Sequence, residues 1–315
     1  MDPPCVVIPR SASPLGYEYE VVNNIVWYSG CYNPNNAEEA AVVLDAVDPA
    51  LSGNGHGLYR LNLRTGQRTL LFDGVASRTV DWSRSGWILF GRGGEGWKIK
   101  ANGDSATQFT ATNRTLNIAE AWSLDGRLAL FRRDAPTYAQ TGLAIYTAKG
   151  DFVRLLPDAS TRAAVGVGWS PDGRRLAYIG GPGSPVNEPR LCIYDLTTNQ
   201  RDTLDVVPKG NYSATSGVQW LPSGNELVWD ARPGIYITNV QTRRMRLVRA
   251  SCVITTSGAM ISRGIAYARP SPDGQQLLVG RGDFALSPTN SNLLLRKHSL
   301  ETMNLQGGQL RKITP

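Results

Sequence analysis

Histidine is nearly missing from this sequence: His56 and His298 are the only two among 315 residues. That scarcity removes metal sites built from several imidazoles and leaves little for a nucleophile–histidine–acid triad. No G-x-S-x-G elbow is present to carry a nucleophilic serine. His56 sits in a Gly-rich loop and His298 follows Arg296-Lys297, so both read as solvated rather than catalytic. No apolar run reaches the ~18 residues that a membrane-spanning helix needs. Met1 to Cys5 carry neither a basic n-region nor an apolar core, so no signal peptide is expected there. The four cysteines, Cys5, Cys31, Cys192 and Cys252, lack metal-type spacing. They fit disulfides in an oxidising compartment, Cys5–Cys31 before Cys192–Cys252, or buried thiols in a reducing one. Polar loops at 33–39 and 49–57 hold oxygen donors that suit calcium, but neither spells D-x-D-x-D-G. No cofactor is expected, with calcium the minor alternative.

What the sequence does have is a repeated phrase. Trp169-Ser170-Pro171-Asp172-Gly173 precedes the apolar run Leu176-Ala177-Tyr178-Ile179. Proline presets φ, aspartate bonds its own backbone and glycine takes the positive φ, so the phrase predicts strand, tight turn, strand. It returns from Trp82, Trp122, Trp220 and Pro270, and more loosely from Trp27. The anchors at 27, 82, 122, 169, 220 and 270 lie 55, 40, 47, 51 and 50 residues apart. Between them falls a second hairpin phrase, clearest at Cys192-Ile193-Tyr194-Asp195-Leu196. Two hairpins per period of roughly 40–50 residues predict a propeller blade of four strands. Six periods predict an all-β, six-bladed β-propeller with four antiparallel strands per blade. The blades are expected at about 21–72, 73–110, 111–157, 158–206, 207–248 and 249–315. Residues 1–20 form an N-terminal extension whose run Cys5 to Ile8 could add a ring-closing strand. The anchor tryptophans should wedge between blades and give their N–H to backbone acceptors.

These phrases resemble the TolB-type propeller repeat, a relative of WD-like repeats, in which W-S-P-D-G precedes an apolar strand and an I-Y-x-x-(D/N) strand precedes a turn. Trp169 to Gly173, Ile193 to Leu196 and Pro270 to Gly274 carry the match. The resemblance spans residues 21–315 and implies a periplasmic or extracellular binding scaffold that meets protein partners on its disc. Related propellers also gate hydrolase domains or act as pectic-sugar lyases. This chain has no hydrolase domain and too few histidines for the lyase metal site.

Lys and Arg number 33 against 26 Asp and Glu, a net charge of +7. The excess favours an anionic partner, and no nucleic-acid module accompanies it. The loop after each second strand repeatedly opens with arginine, at Arg92, Arg132 and Arg133, Arg232 and Arg281. The blade-connecting loops add Arg78, Arg114, Arg162 and Arg263. Both loop sets emerge on one face of a propeller, so these nine residues predict a basic rim for an envelope protein or an anionic polymer. The disc is expected to be a monomer. The run Arg243-Arg244-Met245-Arg246 reads instead as a solvated hairpin turn. The alternative is a carbohydrate-active or other small-molecule enzyme with carboxylates at the channel mouth. Asp81 and Glu120, just before two anchors, are its candidates. Asp125, Asp172 and Asp273 are structural turn residues.

Overall fold

Each repeated phrase builds the same tight turn. After Trp169, the Ser170 N–H donates to Arg175 O at 2.9 Å and the Gly173 N–H to Ser170 O at 2.9 Å. Gly173 sits at φ +68°, a conformation that a Cβ opposes. The serine locks the turn twice: its Oγ accepts the Arg175 N–H at 2.9 Å, and its hydroxyl donates to Asp172. Ser123 with Asp125 and Ser271 with Asp273 repeat the arrangement. The Ser271 hydroxyl and the Gln275 N–H hold the Asp273 carboxyl below the ordinary carboxylate range. These aspartates are spent on the turn.

The computed structural model describes residues 18–21, 25–46, 56–75, 80–93, 95–108, 115–134, 141–156, 165–179, 190–204, 214–231, 234–250, 253–256, 259–262, 264–286, 289 and 293–313. The first strand among the described residues is β1 (Glu18–Val21). Blade one is β2 (Ile25–Asn33), β3 (Asn36–Ala46), β4 (His56–Asn62) and β5 (Arg68–Val75). Blade two is β6 (Val80–Trp82), β7 (Trp87–Arg92), β8 (Glu95–Lys100) and β9 (Thr107–Gln108). Blade three is β10 (Thr115–Trp122), β11 (Leu128–Asp134), β12 (Thr141–Tyr146) and β13 (Phe152–Leu155). Blade four is β14 (Val165–Trp169), β15 (Arg175–Ile179), β16 (Leu191–Asp195) and β17 (Gln200–Leu204). Blade five is β18 (Ala214–Trp220), β19 (Glu226–Ala231), β20 (Gly234–Asn239) and β21 (Met245–Ala250). A separate hairpin, β22 (Val253–Thr256) with β23 (Ala259–Ser262), precedes blade six. That blade is β24 (Gly264–Pro270), β25 (Gln276–Leu286), β26 (Leu293–Asn304) and β27 (Arg311–Lys312), all antiparallel. β1 lies parallel to β26, with Glu18 opposite Leu293 and Val21 opposite Arg296. The run Cys5 to Ile8 falls outside the described residues.

The first strands, β2, β6, β10, β14, β18 and β24, contact one another in sequence, and β24 returns to β2. The ring is therefore a six-bladed propeller with these strands innermost. Trp82, Trp122, Trp169 and Trp220 hold matching registers, opposite Ile88, Leu128, Leu176 and Leu227. In blade one the matching residue is Tyr32, opposite Ala40, and not Trp27, which lies opposite Leu44. The stretch expected as a polar insert after that anchor is the tight β2–β3 turn itself. There Asn33 Oδ1 and Asn36 Oδ1 accept N–H groups of Asn35 and Glu38 at 3.0 Å each. Each tryptophan packs back onto the preceding blade; Trp169, for example, shares a buried cluster with Ala129, Leu143 and Ile145 of blade three.

Basic side chains tie each blade to its neighbour by donating to main-chain carbonyls. Arg60 reaches Ala101 O (3.4 Å) and Lys98 reaches Ala148 O (2.7 Å). Arg127 reaches Gly173 O (2.7 Å) and Arg175 reaches Gly224 O (3.2 Å). Arg246 reaches Leu305 O (2.7 Å), and Arg311 meets Leu63 O (3.5 Å) between blades six and one. Arg127 and Arg175 also cover the rings of Trp169 and Trp220, at 4.8 and 4.5 Å. Each also pairs within its own turn, Arg127 with Asp125 at 2.7 Å and Arg175 with Asp172 at 3.8 Å, so the staple and the ion pair share one guanidinium. The basic run in blade five takes part in this stapling and is not merely solvated. Arg243 pairs with Asp202 at 2.9 Å and donates to Thr203 O at 3.3 Å.

Candidate functional site

In an up-and-down blade the first and third turns leave at one end of the strands, and the middle loop and blade-connecting loops leave at the other. A described cavity lies at the axis on the first-turn face. It has a volume of about 260 Å3 and is lined by residues from the ends of the inner strands. Trp82, Trp122, Trp169 and Trp220 line it with Pro171, Pro222 and Pro272. Exposed Arg84, Leu124 and Pro222 form its outer lip. The residues immediately before the anchors supply its depth: Cys31, Asp81, Gln219 and Arg269 line it. Blades three and four place small residues, Ala121 and Gly168, at the same register.

Asp81 accepts the Trp122 N–H at 2.6 Å across the blade two–three boundary. Burial pushes its carboxyl up to about 6, against the opposing pull of the Trp122 and Trp82 N–H groups and Arg269. A carboxyl raised in this direction stabilises the fold fully below the ordinary value of 3.8, and that contribution disappears as pH rises through about 6. The loss is on the order of 3 kcal/mol, at about 1.4 kcal/mol per pKa unit. Asp81→Asn keeps an acceptor for Trp122 and removes the titration. Urea unfolding at pH 4 to 7 should show the variant gaining on the native chain by roughly that amount. A stability difference that stays level across this range would refute the assignment.

Arg269 was not singled out by the sequence reading, because its blade opens its turn with Pro270 and not tryptophan. Its signal was positional: it occupies the residue before the anchor, as Asp81 does. Its side chain is buried, 7% exposed, and its Nε has no hydrogen-bond partner among the described residues. The expected tryptophan N–H bond to a backbone acceptor forms at Trp169, which donates to Ala121 O at 3.3 Å. It does not form at Trp122 or Trp220, whose buried Nε1 atoms lack a partner among the described residues. Glu120 is the extra residue of a bulge between Ala119 and Ala121 in β10, and its side chain lies outside the described residues. Asp81 is thus the one acidic residue lining the described cavity.

The nine arginines of the expected rim are less clearly gathered. Arg78, Arg114, Arg162, Arg232 and Arg263 lie outside the described residues, as do the side chains of Arg132 and Arg133 in β11. Arg92 ends β7, exposed, with its guanidinium 5.1 Å from the Phe72 ring and 5.5 Å from the Trp97 ring. Arg281 lies inside β25 and not in a loop, opposite Ser299, with Nη1 3.8 Å from Glu301. The strand continues to Leu286 because β26 is long enough to pair with all of it.

His298, read from sequence as solvated, is buried at 6% exposure in β26. Its neighbours Lys297 and Arg296 suggested a wet strand, but β26 is covered by blade one and by β25. Cys31 and Cys192 are buried thiols, with Cys192 Sγ 3.9 Å from the Thr203 hydroxyl. Burial holds both well clear of the thiolate range, by raising them above the ordinary value. Among the described residues no group of three His, Cys, Asp or Glu side chains could hold a metal ion. None of their helices is long and apolar enough to cross a membrane.

No protein-family model matches the sequence, and no curated protein matches it. Solved structures do. The fold is similar to that of a TolB-named protein from Agrobacterium tumefaciens, 17% identical over 80% of this chain and 86% of that one, TM-score 0.60. It is similar to an oligogalacturonate lyase in complex with manganese, 13% identical over 92% of this chain and 78% of that one, TM-score 0.57. It is also similar to a puromycin hydrolase, 14% identical over 91% of this chain, TM-score 0.60, of which it spans 53%. At these identities the likeness is one of fold: the chain is a six-bladed β-propeller similar in fold to TolB-named proteins.

Proposed function

We propose that this protein is a non-enzymatic binding propeller of the cell envelope, a rigid disc that recognises a protein or an anionic polymer. The observation that carries this reading is the preformed channel mouth, where aromatic and proline side chains from separate blades surround one carboxylate, Asp81, and two guanidinium groups, Arg84 and Arg269. Aromatic side chains held in place lose little entropy on binding, so such a surface captures a ligand with little rearrangement. The arginines of the opposite face then steer an anionic partner toward the disc. The TolB-type fold supports the envelope setting.

Capture from envelope extract distinguishes the two faces. Leu124→Arg fills the exposed lip of the mouth; the double change Arg92→Glu and Arg132→Glu reverses charge on the loop side. The mouth variant should lose at least ten-fold of the partner that the native chain retains, with the loop variant losing capture only at low salt. Equal retention by the native chain and the mouth variant would move recognition away from the mouth.

A second reading has one observation in its favour. A carboxyl raised to about 6 in a cavity is poised for acid–base chemistry. If the protein is an enzyme, turnover of a panel of glycosides and aminoacyl arylamides should fall at least 100-fold in Asp81→Asn. No turnover by the native chain leaves the binding reading standing.

A further inference from the structure

We infer that Arg269 anchors a carboxylate in the channel mouth. The inference rests on the reading of the mouth as the ligand surface and names the chemistry that surface takes. Arg269 is a buried cation whose Nε has no hydrogen-bond partner among the described residues, although its charge acts on Asp81. Leaving a guanidinium N–H buried without an acceptor is costly in a protein interior. Asp81, which lines the same cavity, is already committed to the main-chain N–H groups of Trp122 and Trp82. Two further donors in the same lining, Trp122 Nε1 and Trp220 Nε1, are likewise buried without acceptors among the described residues. Buried donors from three blades therefore lie in the lining of one cavity without a hydrogen-bond partner among the described residues. Asp81, Arg84 and Arg269 line it, so it carries one positive charge in excess when all three are ionised.

Size narrows the ligand. A cavity of about 260 Å3 has room for about eight waters at ~30 Å3 each. It falls just below the ~300–1,000 Å3 of sites for drug-sized molecules. It therefore suits one small carboxylate or one chain end or acidic side chain inserted from a partner. A guanidinium matches a carboxylate in plane and spacing, and indole N–H groups add neutral donors to its oxygens. Specificity for an acid over its amide follows, because the amide leaves the cation unanswered.

The test is a tryptophan-fluorescence and calorimetric titration of the full chain with succinate, with acetyl-triglycine as free acid, and with the same peptide as carboxamide. Arg269→Met fills the site without charge, and Arg269→Lys keeps charge without the planar fork. The native chain should bind at least one acid, with the carboxamide at least ten-fold weaker. Arg269→Met should lose at least ten-fold in affinity while its Tm rises by about 2–4 °C, because a buried guanidinium N–H without an acceptor is gone. Arg269→Lys should bind more weakly than the native chain at unchanged pH. Preference for succinate identifies a free small acid, and preference for the peptide acid identifies a chain carboxylate. Equal binding of acid and amide, equal binding by Arg269→Met, or no binding of either acid at concentrations up to about 10 mM would overturn the assignment. A fall in Tm for Arg269→Met would also overturn it, since it would make the arginine structural. None of these outcomes touches the mouth itself, whose role is read independently by the Leu124→Arg capture experiment.

Discussion

Trp169→Ala should lower the unfolding free energy by about 3–5 kcal/mol, the usual cost of deleting a buried aromatic ring. The ring is 8% exposed and packs with residues of blades three and four. Its Nε1 also donates to Ala121 O across the boundary, and Arg127 lies over its face. Three kinds of contact between two blades therefore disappear together. Urea unfolding followed by far-UV circular dichroism reads the loss. Trp169→Phe keeps most of the apolar area and removes the N–H, so it should cost roughly 1 kcal/mol, the net value of one hydrogen bond. Equal costs for the two variants would mean that the ring does not wedge the boundary.

Gly168→Val should be nearly as damaging for the opposite reason. A Cβ at Gly168 would stand 2.5 Å from Val218 O and 3.0 Å from Gln219 Cα, both backbone atoms of the adjacent inner strand. Neither side can yield without separating blades four and five at the axis. The cost should therefore exceed the ~1–3 kcal/mol typical of overpacking. Gly142→Ala is the internal control. There the Cβ meets only the Leu155 side chain, 2.9 Å at its nearest methyl, so the side chain turns aside and the cost should stay below about 1.5 kcal/mol. The same urea series reads both. A Gly168→Val protein with native stability would refute the close approach of β14 and β18.

The contrast between these two sites bears on rigidity. Blade boundaries are held by ring wedges, by backbone-to-backbone approach at glycine and by basic side chains on neighbouring carbonyls. Arg249 adds another such bond, to Gly307 O at 2.6 Å. Gly307 itself has φ +80°, and a Cβ there would fall 2.1 Å from Val248 O. A disc tied in this way presents its mouth in one shape, as a preformed binding surface requires.

The sequence by itself determined the repeat, because turn chemistry is local. A serine, an aspartate and a glycine within five residues of Trp169 fix a turn whatever surrounds it, and the six-fold recurrence fixes the number of blades. Even the misplaced anchor in blade one, Trp27 for Tyr32, followed from locality: the β2–β3 turn is built from Asn33 and Asn36 and not from the usual phrase. Only the tertiary structure decided what the charged residues do. Arg127, Arg175 and Arg246 look alike in sequence to Arg92, yet they are spent on neighbouring blades, and Arg281 faces Glu301. Asp81 and Arg269 stand 188 positions apart in the numbering. They share a cavity because ring closure brings blade six back to blade one and so to blade two, a long-range proximity that no local pattern encodes.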